Sequence, residues 1–222
     1  MFFDIDDTLV DHSTALRAAV IALHRSLGPG IKLQEFQAKW QAAHALHYSR
    51  FLKGEISYTE SARARVRDVI SDGLSDEAAD ALFAKYLTDY ESGWTLFPDV
   101  LPCLAQLRAV SLGVISNGPA VEQKRKLSRL RIANYFQWVS VSEEIGIAKP
   151  DARIFQVACE RAGVAPQEAL YVGDQYELDA CAALSAGLKS VWLNRRAAGR
   201  PGGDGQSIKS LEALAALVAL GR

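Results

Sequence analysis

Residues 112–131, LGVISNGPAVEQKRKLSRLR, hold the transition that decides the fold. LGVIS (112–116) is a short continuous apolar run, the pattern of a strand buried on both faces. Ser116-Asn117-Gly118 is turn chemistry, and a helical stretch follows around 119–130. A buried strand that passes through a polar turn into a helix is half of a parallel-sheet unit. The same texture recurs at WVSV (138–141), ALYVG (169–173) and SVWL (190–193), with further helical stretches around 99–109, 151–162, 178–186 and 208–220. Phe2-Phe3 reads as the first strand. The expected architecture is α/β: a Rossmann-like parallel five-stranded sheet with helices on both faces.

Upstream the pattern differs. STALRAAVIALHRSL (13–27) is an Ala/Leu-rich helix stopped by Gly28-Pro29-Gly30. Phe36, Trp40, Ala43, His47 and Phe51 recur at helical steps, and Gly54 closes that segment. Ser57 with Glu60 forms a capping-box signal, and Ser75 starts a further helix carrying Ala79, Leu82, Phe83, Tyr86 and Tyr90. An α-helical domain over 15–92 is therefore inserted into a core made of 1–14 and 93–222. Only AAGRPGGDGQS (197–207) reads as a flexible loop.

The bulk numbers exclude several classes. The 222 residues are 49% hydrophobic and 23% charged, ordinary for a globular chain, and a net charge of −1 exerts no pull on nucleic acid or anionic lipid. Cys103, Cys159 and Cys181 show no paired spacing and read as buried hydrophobes in a reducing compartment. The N-terminus carries acids where a signal peptide needs bases, and no apolar run approaches spanning length, so a cytoplasmic protein without membrane partners is expected. Only three residues precede Asp4, whereas strands average about five to six. The expectation here is a native start upstream of Met1, and low stability without it.

Ligands of open parallel sheets bind at the carboxyl ends of the strands, where strand order reverses. The residues at those ends are chemically coherent. Asp4, Asp6 and Thr8 follow the first strand, Ser116-Asn117-Gly118 the second, Lys149 the third, and Asp174 with Asp179 the fourth. Crowded carboxylates repel and resist desolvation, so folding alone gives no reason to gather them. A hard divalent cation offsets that cost, and Mg²⁺ suits a few carboxylates plus an anionic substrate.

DIDDTLV (4–10), ISNG (115–118), AKPD (148–151) and VGDQYELD (172–179) resemble, in order, the four motifs of the haloacid dehalogenase-like hydrolase superfamily. The flanking FFDIDDTLVDH and VWLNRR resemble its phosphatase branch, which includes nucleotidases and acylneuraminate phosphatases, and the insert looks like its small helical cap. That resemblance implies roles. Asp4 would be the nucleophile and Asp6 the general acid–base, with Asp6 also lending its main-chain carbonyl to the metal. Thr8, Ser116, Asn117 and Gly118 would bind the phosphoryl group, and Lys149 would offset its growing charge. Asp4, Asp6 and Asp174 would hold Mg²⁺, with Asp179 orienting Lys149 or the metal's outer shell. The substrate would be a small phosphorylated metabolite, the cap would close over it to exclude water, and a monomer or homodimer is expected.

Other features read as ordinary structure. His44 and His47 read as packing or surface histidines rather than metal ligands, and KRKLSRLR (124–131) as a solvated helix face rather than a nucleic-acid site. Trp94, Trp138 and Trp192 read as core or hinge aromatics. Arg63, Arg65 and Arg67 read as exposed charges, one reaching a substrate anion being the alternative. Rival functions on the same core are a haloacid dehalogenase, which needs no acid two residues after its nucleophile, a phosphosugar mutase, and a non-catalytic phospho-responsive module. A phosphonate hydrolase needs a cap lysine, and Lys32, Lys39, Lys53 and Lys85 fall in no defensible pattern.

Overall fold

A computed structural model describes residues 1–28, 30–196 and 206–220. The chain divides into two compact units, His12–Thr95 and the combination of Met1–Asp11 with Leu96–Arg222.

The second of these is the α/β unit. Its strands are β1 (Phe2–Phe3), β2 (Gly113–Ser116), β3 (Trp138–Val141), β4 (Leu170–Gly173), β5 (Lys189–Leu193) and β6 (Gln206–Ile208). All pairs are parallel, in the order β3-β2-β1-β4-β5-β6. The sheet thus has six strands among the described residues, not five. β6 escaped the sequence reading because it is a three-residue edge strand whose Gln206 and Ser207 face solvent, leaving no apolar run to see. Residues 197–205 of the expected loop lie outside the described residues, while Gln206 and Ser207 are strand.

β1 is two residues long yet sits at the sheet's centre. Phe2 and Phe3 pair with Gly113 and Val114 on one side and with Tyr171 and Val172 on the other. Both rings are buried, Phe2 beside Ile115, Phe155 and Tyr171 in the core beneath the sheet. Gly113 is obligatory here, since a Cβ on it would lie 2.7 Å from the Phe2 ring.

Helices α5 (Val100–Gln106), α6 (Ala120–Arg129), α7 (Ser142–Ile145), α8 (Ala152–Ala162), α9 (Ala182–Ser185) and α10 (Glu212–Leu220) complete this unit. The stretch expected as a helix over 178–186 is instead a π-helical turn, Tyr176–Cys181, that runs into α9. Buried Asp99 ties distant segments together: its carboxylate accepts from Arg195 (2.7 Å), the Ser210 hydroxyl (2.8 Å) and the Leu211 amide (2.8 Å).

The described part of His12–Thr95 forms helices α1 (His12–Leu27), α2 (Leu33–Leu52), α3 (Tyr58–Val69) and α4 (Asp76–Ser92). Ser57 caps the third with the reciprocal Glu60 contact that the spacing predicts, and Ser75 caps the fourth. A chain of ring contacts, Phe36–Trp40–Tyr86–Tyr90–Trp94, fills the interior. His47 Nε2 donates to Asp68 Oδ2 at 2.7 Å, and the His44 ring packs at a tilt against Tyr48. Arg65 departs from expectation. It is buried between the Trp40 and Phe83 rings, while Arg63 and Arg67 pair with Asp76 and Asp80 nearer the surface. Trp94 and Trp192 are buried and Trp138 half-buried. No helix among the described residues is long and apolar enough to cross a membrane.

Candidate active site

Strand order reverses between β1 and β4, the position at which open α/β sheets bind ligands. The Asp4 amide donates to Val172 O at 2.9 Å, so the central ladder carries Asp4 to this edge before the chain turns. The turn is tight: Asp7 takes φ +57, a left-handed conformation that aspartate tolerates better than most residues, and its amide donates to Val10 O at 2.8 Å.

Lys149 organises the edge. Its Nζ lies 2.7 Å from Asp4 Oδ1, 2.6 Å from Asp179 Oδ1 and 2.9 Å from the Tyr171 hydroxyl, all buried. Burial alone would lower its pKa, but the charges of Asp179 and Asp4 outweigh burial and hold it protonated above the ordinary lysine range. Asn117 clamps the same segment, its Nδ2 donating to Lys149 O (3.0 Å) while Lys149 N donates to its Oδ1 (2.8 Å). That amide therefore braces Lys149 and does not face the edge as a free donor. Ser116 Oγ donates to Asp4 Oδ1 at 3.2 Å, and Gly118 N to Ser142 Oγ at 2.9 Å. Among the described residues Thr8 is not joined to this set by any hydrogen bond, and its buried hydroxyl has no partner.

Asp179 sits in the π turn, which folds back so that Gln175 N donates to Oδ2 (2.9 Å) while Lys149 and Tyr171 donate to Oδ1 (2.6 and 2.9 Å). Gly173 makes room for it: a Cβ there would lie 2.4 Å from Asp179 Cγ. Asp174 is different. Trp192 Nε1 fixes its main-chain oxygen at 2.8 Å, yet its side-chain Oδ1 is buried without a partner among the described residues.

The carboxylates of Asp4, Asp174 and Asp179 each bring an oxygen within 4.8 Å of the others. Burial, first of all, and the neighbouring acids push Asp4 up to about 7 against the pull of Lys149. Burial and then the charges of Asp4, Asp179 and Asp7 push Asp174 up to about 8. An orphaned buried carboxylate oxygen among repelling acids is the donor set that a hard divalent cation satisfies, so these residues fit one. Asp179, whose oxygens are already engaged by Lys149, Tyr171 and the Gln175 amide, suits the outer role, and Asp4 and Asp174 the direct one.

The Asp6 carboxyl group is held by side chains of α6. Lys126 Nζ lies 2.7 Å from Oδ1, and Gln123 Nε2 donates to Oδ2 at 2.9 Å and to Ser116 Oγ at 3.1 Å. Lys126, read from sequence as part of a solvated basic face, is in fact fully buried and also pairs with Glu122 at 2.8 Å. The available signal was spacing: Gln123, Lys126 and Leu127 share the helix face of buried Ala120, and Glu122–Lys126 is an i,i+4 ion pair.

A family model for haloacid dehalogenase-like hydrolases matches residues 1–187. The chain belongs to this family. Among the haloacid dehalogenase-like hydrolases, it is 34% identical over 209 residues to a glyceraldehyde 3-phosphate phosphatase of Methanopyrus kandleri, covering 88% of this chain and 83% of that one. It shares its fold with the magnesium-bound hydrolase YfnB of Bacillus subtilis, at TM-score 0.78 and 22% identity over 98% and 96% of the two chains. A 2-haloacid dehalogenase of Pseudomonas syringae is also similar, at TM-score 0.76 and 27% identity over 100% and 98%. Relatives in this family thus differ in the bond they cleave, and the choice for this chain rests on its own side chains.

Proposed function

We propose that this hydrolase is a Mg²⁺-dependent phosphatase that cleaves a small phosphomonoester through an aspartyl-phosphate on Asp4. The observation that carries the reading is the Asp6 carboxyl group, held two residues beyond Asp4 in the hydrogen-bonded set of Ser116 and Gln123. A halide leaves a carbon centre without needing a proton, whereas an alkoxide leaving phosphorus needs one. An acid at that point therefore favours phosphate ester over carbon–halogen chemistry, and the phosphatase from Methanopyrus kandleri supports the same choice.

In this reading Asp4 attacks phosphorus and Asp6 delivers a proton to the departing oxygen; Asp6 then accepts a proton from the water that releases phosphate. Lys149 favours the ionised form of Asp4 and offsets charge on the transferred group, and Asp179 with Tyr171 fixes where that ammonium points. The Ser116 hydroxyl would donate to a phosphoryl oxygen, and the Gly118 amide would do so on exchanging its present partner, Ser142 Oγ. Thr8, with its unpartnered hydroxyl, would join them through a small local shift. Asp4, Asp174 and the Asp6 carbonyl would hold Mg²⁺, which when bound would neutralise charge on the phosphate and the crowded acids.

The test pairs two substrate classes. With Mg²⁺ the protein should turn over p-nitrophenyl phosphate, lose that activity in excess chelator and regain it on re-addition, while leaving 2-chloropropionate intact. Halide release from 2-chloropropionate, or undiminished phosphatase activity in chelator, would refute the assignment.

A further inference from the structure

Lys126 poses an energetic question that the catalytic reading leaves unanswered. It is fully buried on α6, where an apolar side chain would avoid the cost of desolvating an ammonium. Its Nζ is instead held between Asp6 Oδ1 at 2.7 Å and Glu122 Oε1 at 2.8 Å. Gln123, equally buried, grips the other Asp6 oxygen at 2.9 Å and is itself anchored on Asn117 O at 2.8 Å. Glu122, Gln123 and Lys126 share a single helical turn, so one rigid element supplies a donor to each oxygen of the same carboxyl group.

We propose that Lys126, buttressed by Glu122 and joined by Gln123, is a positioning residue that fixes the plane and direction of the Asp6 carboxyl group toward the leaving oxygen. The inference rests on the acid–base assignment of Asp6 made above. As the bond from Asp4 oxygen to phosphorus forms, the ester P–O bond breaks and its electron pair stays on the leaving oxygen. That oxygen takes the Asp6 proton, and Asp6 ends as carboxylate. A carboxyl group gripped at both oxygens is aimed; one gripped at a single oxygen swings about its last torsion and misses the proton-transfer geometry.

A merely structural lysine and a positioning lysine differ in how their loss depends on the leaving group. Phenyl phosphate expels a strongly basic phenoxide that needs the proton, whereas p-nitrophenyl phosphate expels a weakly basic one that leaves without it. In the Mg²⁺-loaded full chain, Lys126→Met should reduce kcat/KM for phenyl phosphate at least tenfold more than for p-nitrophenyl phosphate, the scale of a partly lost general acid. Lys126→Met/Glu122→Gln, which removes the Glu122 carboxylate that would otherwise repel Asp6 once the ammonium is gone, should fold and show the same discrimination. Equal losses on both esters would overturn the proposal, as would a double variant that fails to fold, which would make Lys126 a folding residue. Asp6→Asn separates the two layers of the argument. Discrimination by Asp6→Asn but not by the Lys126 variants overturns this inference alone, and its absence from Asp6→Asn overturns the acid–base reading and this inference with it.

Discussion

Asn in place of Asp174 keeps the side chain's shape and removes one charge from a cluster in which burial, Asp4, Asp179 and Asp7 hold its carboxyl at about 8 against an ordinary 3.8. Between those two values the unfolded chain gives up the Asp174 proton while the metal-free folded protein retains it. Folding therefore takes up a proton, and its stability falls as pH rises through the window from about 4 to about 8. Asparagine carries no such penalty. The full shift corresponds to roughly 5–6 kcal/mol, but solvent reaches part of Asp174 and its repulsion with Asp4 is shared between the two groups, so about 2 kcal/mol is the reasonable expectation. For a chain of this size that is about 4–8 °C in Tm. Thermal melts in chelator should show Asp174→Asn matching wild type near pH 4 and exceeding it by that margin at pH 8. Saturating Mg²⁺ should then reverse the order, since a ligand at a hundred times Kd adds about 2.7 kcal/mol to wild type and little to the variant. A variant less stable than wild type at pH 8 without metal would show that Asp174 is not repelled, and one that gains as much from Mg²⁺ would show that it is not a ligand.

Four further substitutions probe separate links. Asp4→Asn should abolish turnover while preserving the circular dichroism spectrum, and retention of more than a few per cent of activity would exclude Asp4 as the nucleophile. Gly173→Ala forces a Cβ to within 2.4 Å of Asp179 Cγ, so Asp179 and the Lys149 it holds must shift; a loss of at least tenfold in kcat is expected, and normal kcat would show that Asp179 does not aim Lys149. Tyr171→Phe removes the hydroxyl that accepts from Lys149 and donates to Asp179 or Ile115 O, which should destabilise by about 1–3 kcal/mol in urea titration; an unchanged midpoint would count against that network. Ser57→Ala should cost about 1 kcal/mol through the lost capping box, and equal activity would separate that helix end from the chemistry.

What the sequence made legible follows from which interactions are local. Strands at 112–116, 138–141, 169–173 and 190–193 showed as continuous apolar runs because a parallel sheet buries both of their faces. The edge strand Gln206–Ile208 has two solvent-facing residues and carried no such mark. Asp4, Ser116, Lys149 and Asp179 could be gathered from their places after strands, and the structure brings them within hydrogen-bond reach. Lys126 could not, because its burial depends on Asp6, 120 positions away, arriving to neutralise it. Arg65 hid for a similar reason, since the Trp40 and Phe83 rings that enclose it belong to other helices.

The two-residue strand β1 has one more implication. Its pairing with Gly113 and Tyr171 on either side also dictates whether Asp4 or hydrophobic Ile5 stands opposite Lys149. Sliding that strand by a single position would exchange them, and the phenylalanines with them, so a mispaired centre would lose core packing and reactivity together. Selection for a sound interior and selection for an able catalyst therefore act here on one alignment of the chain.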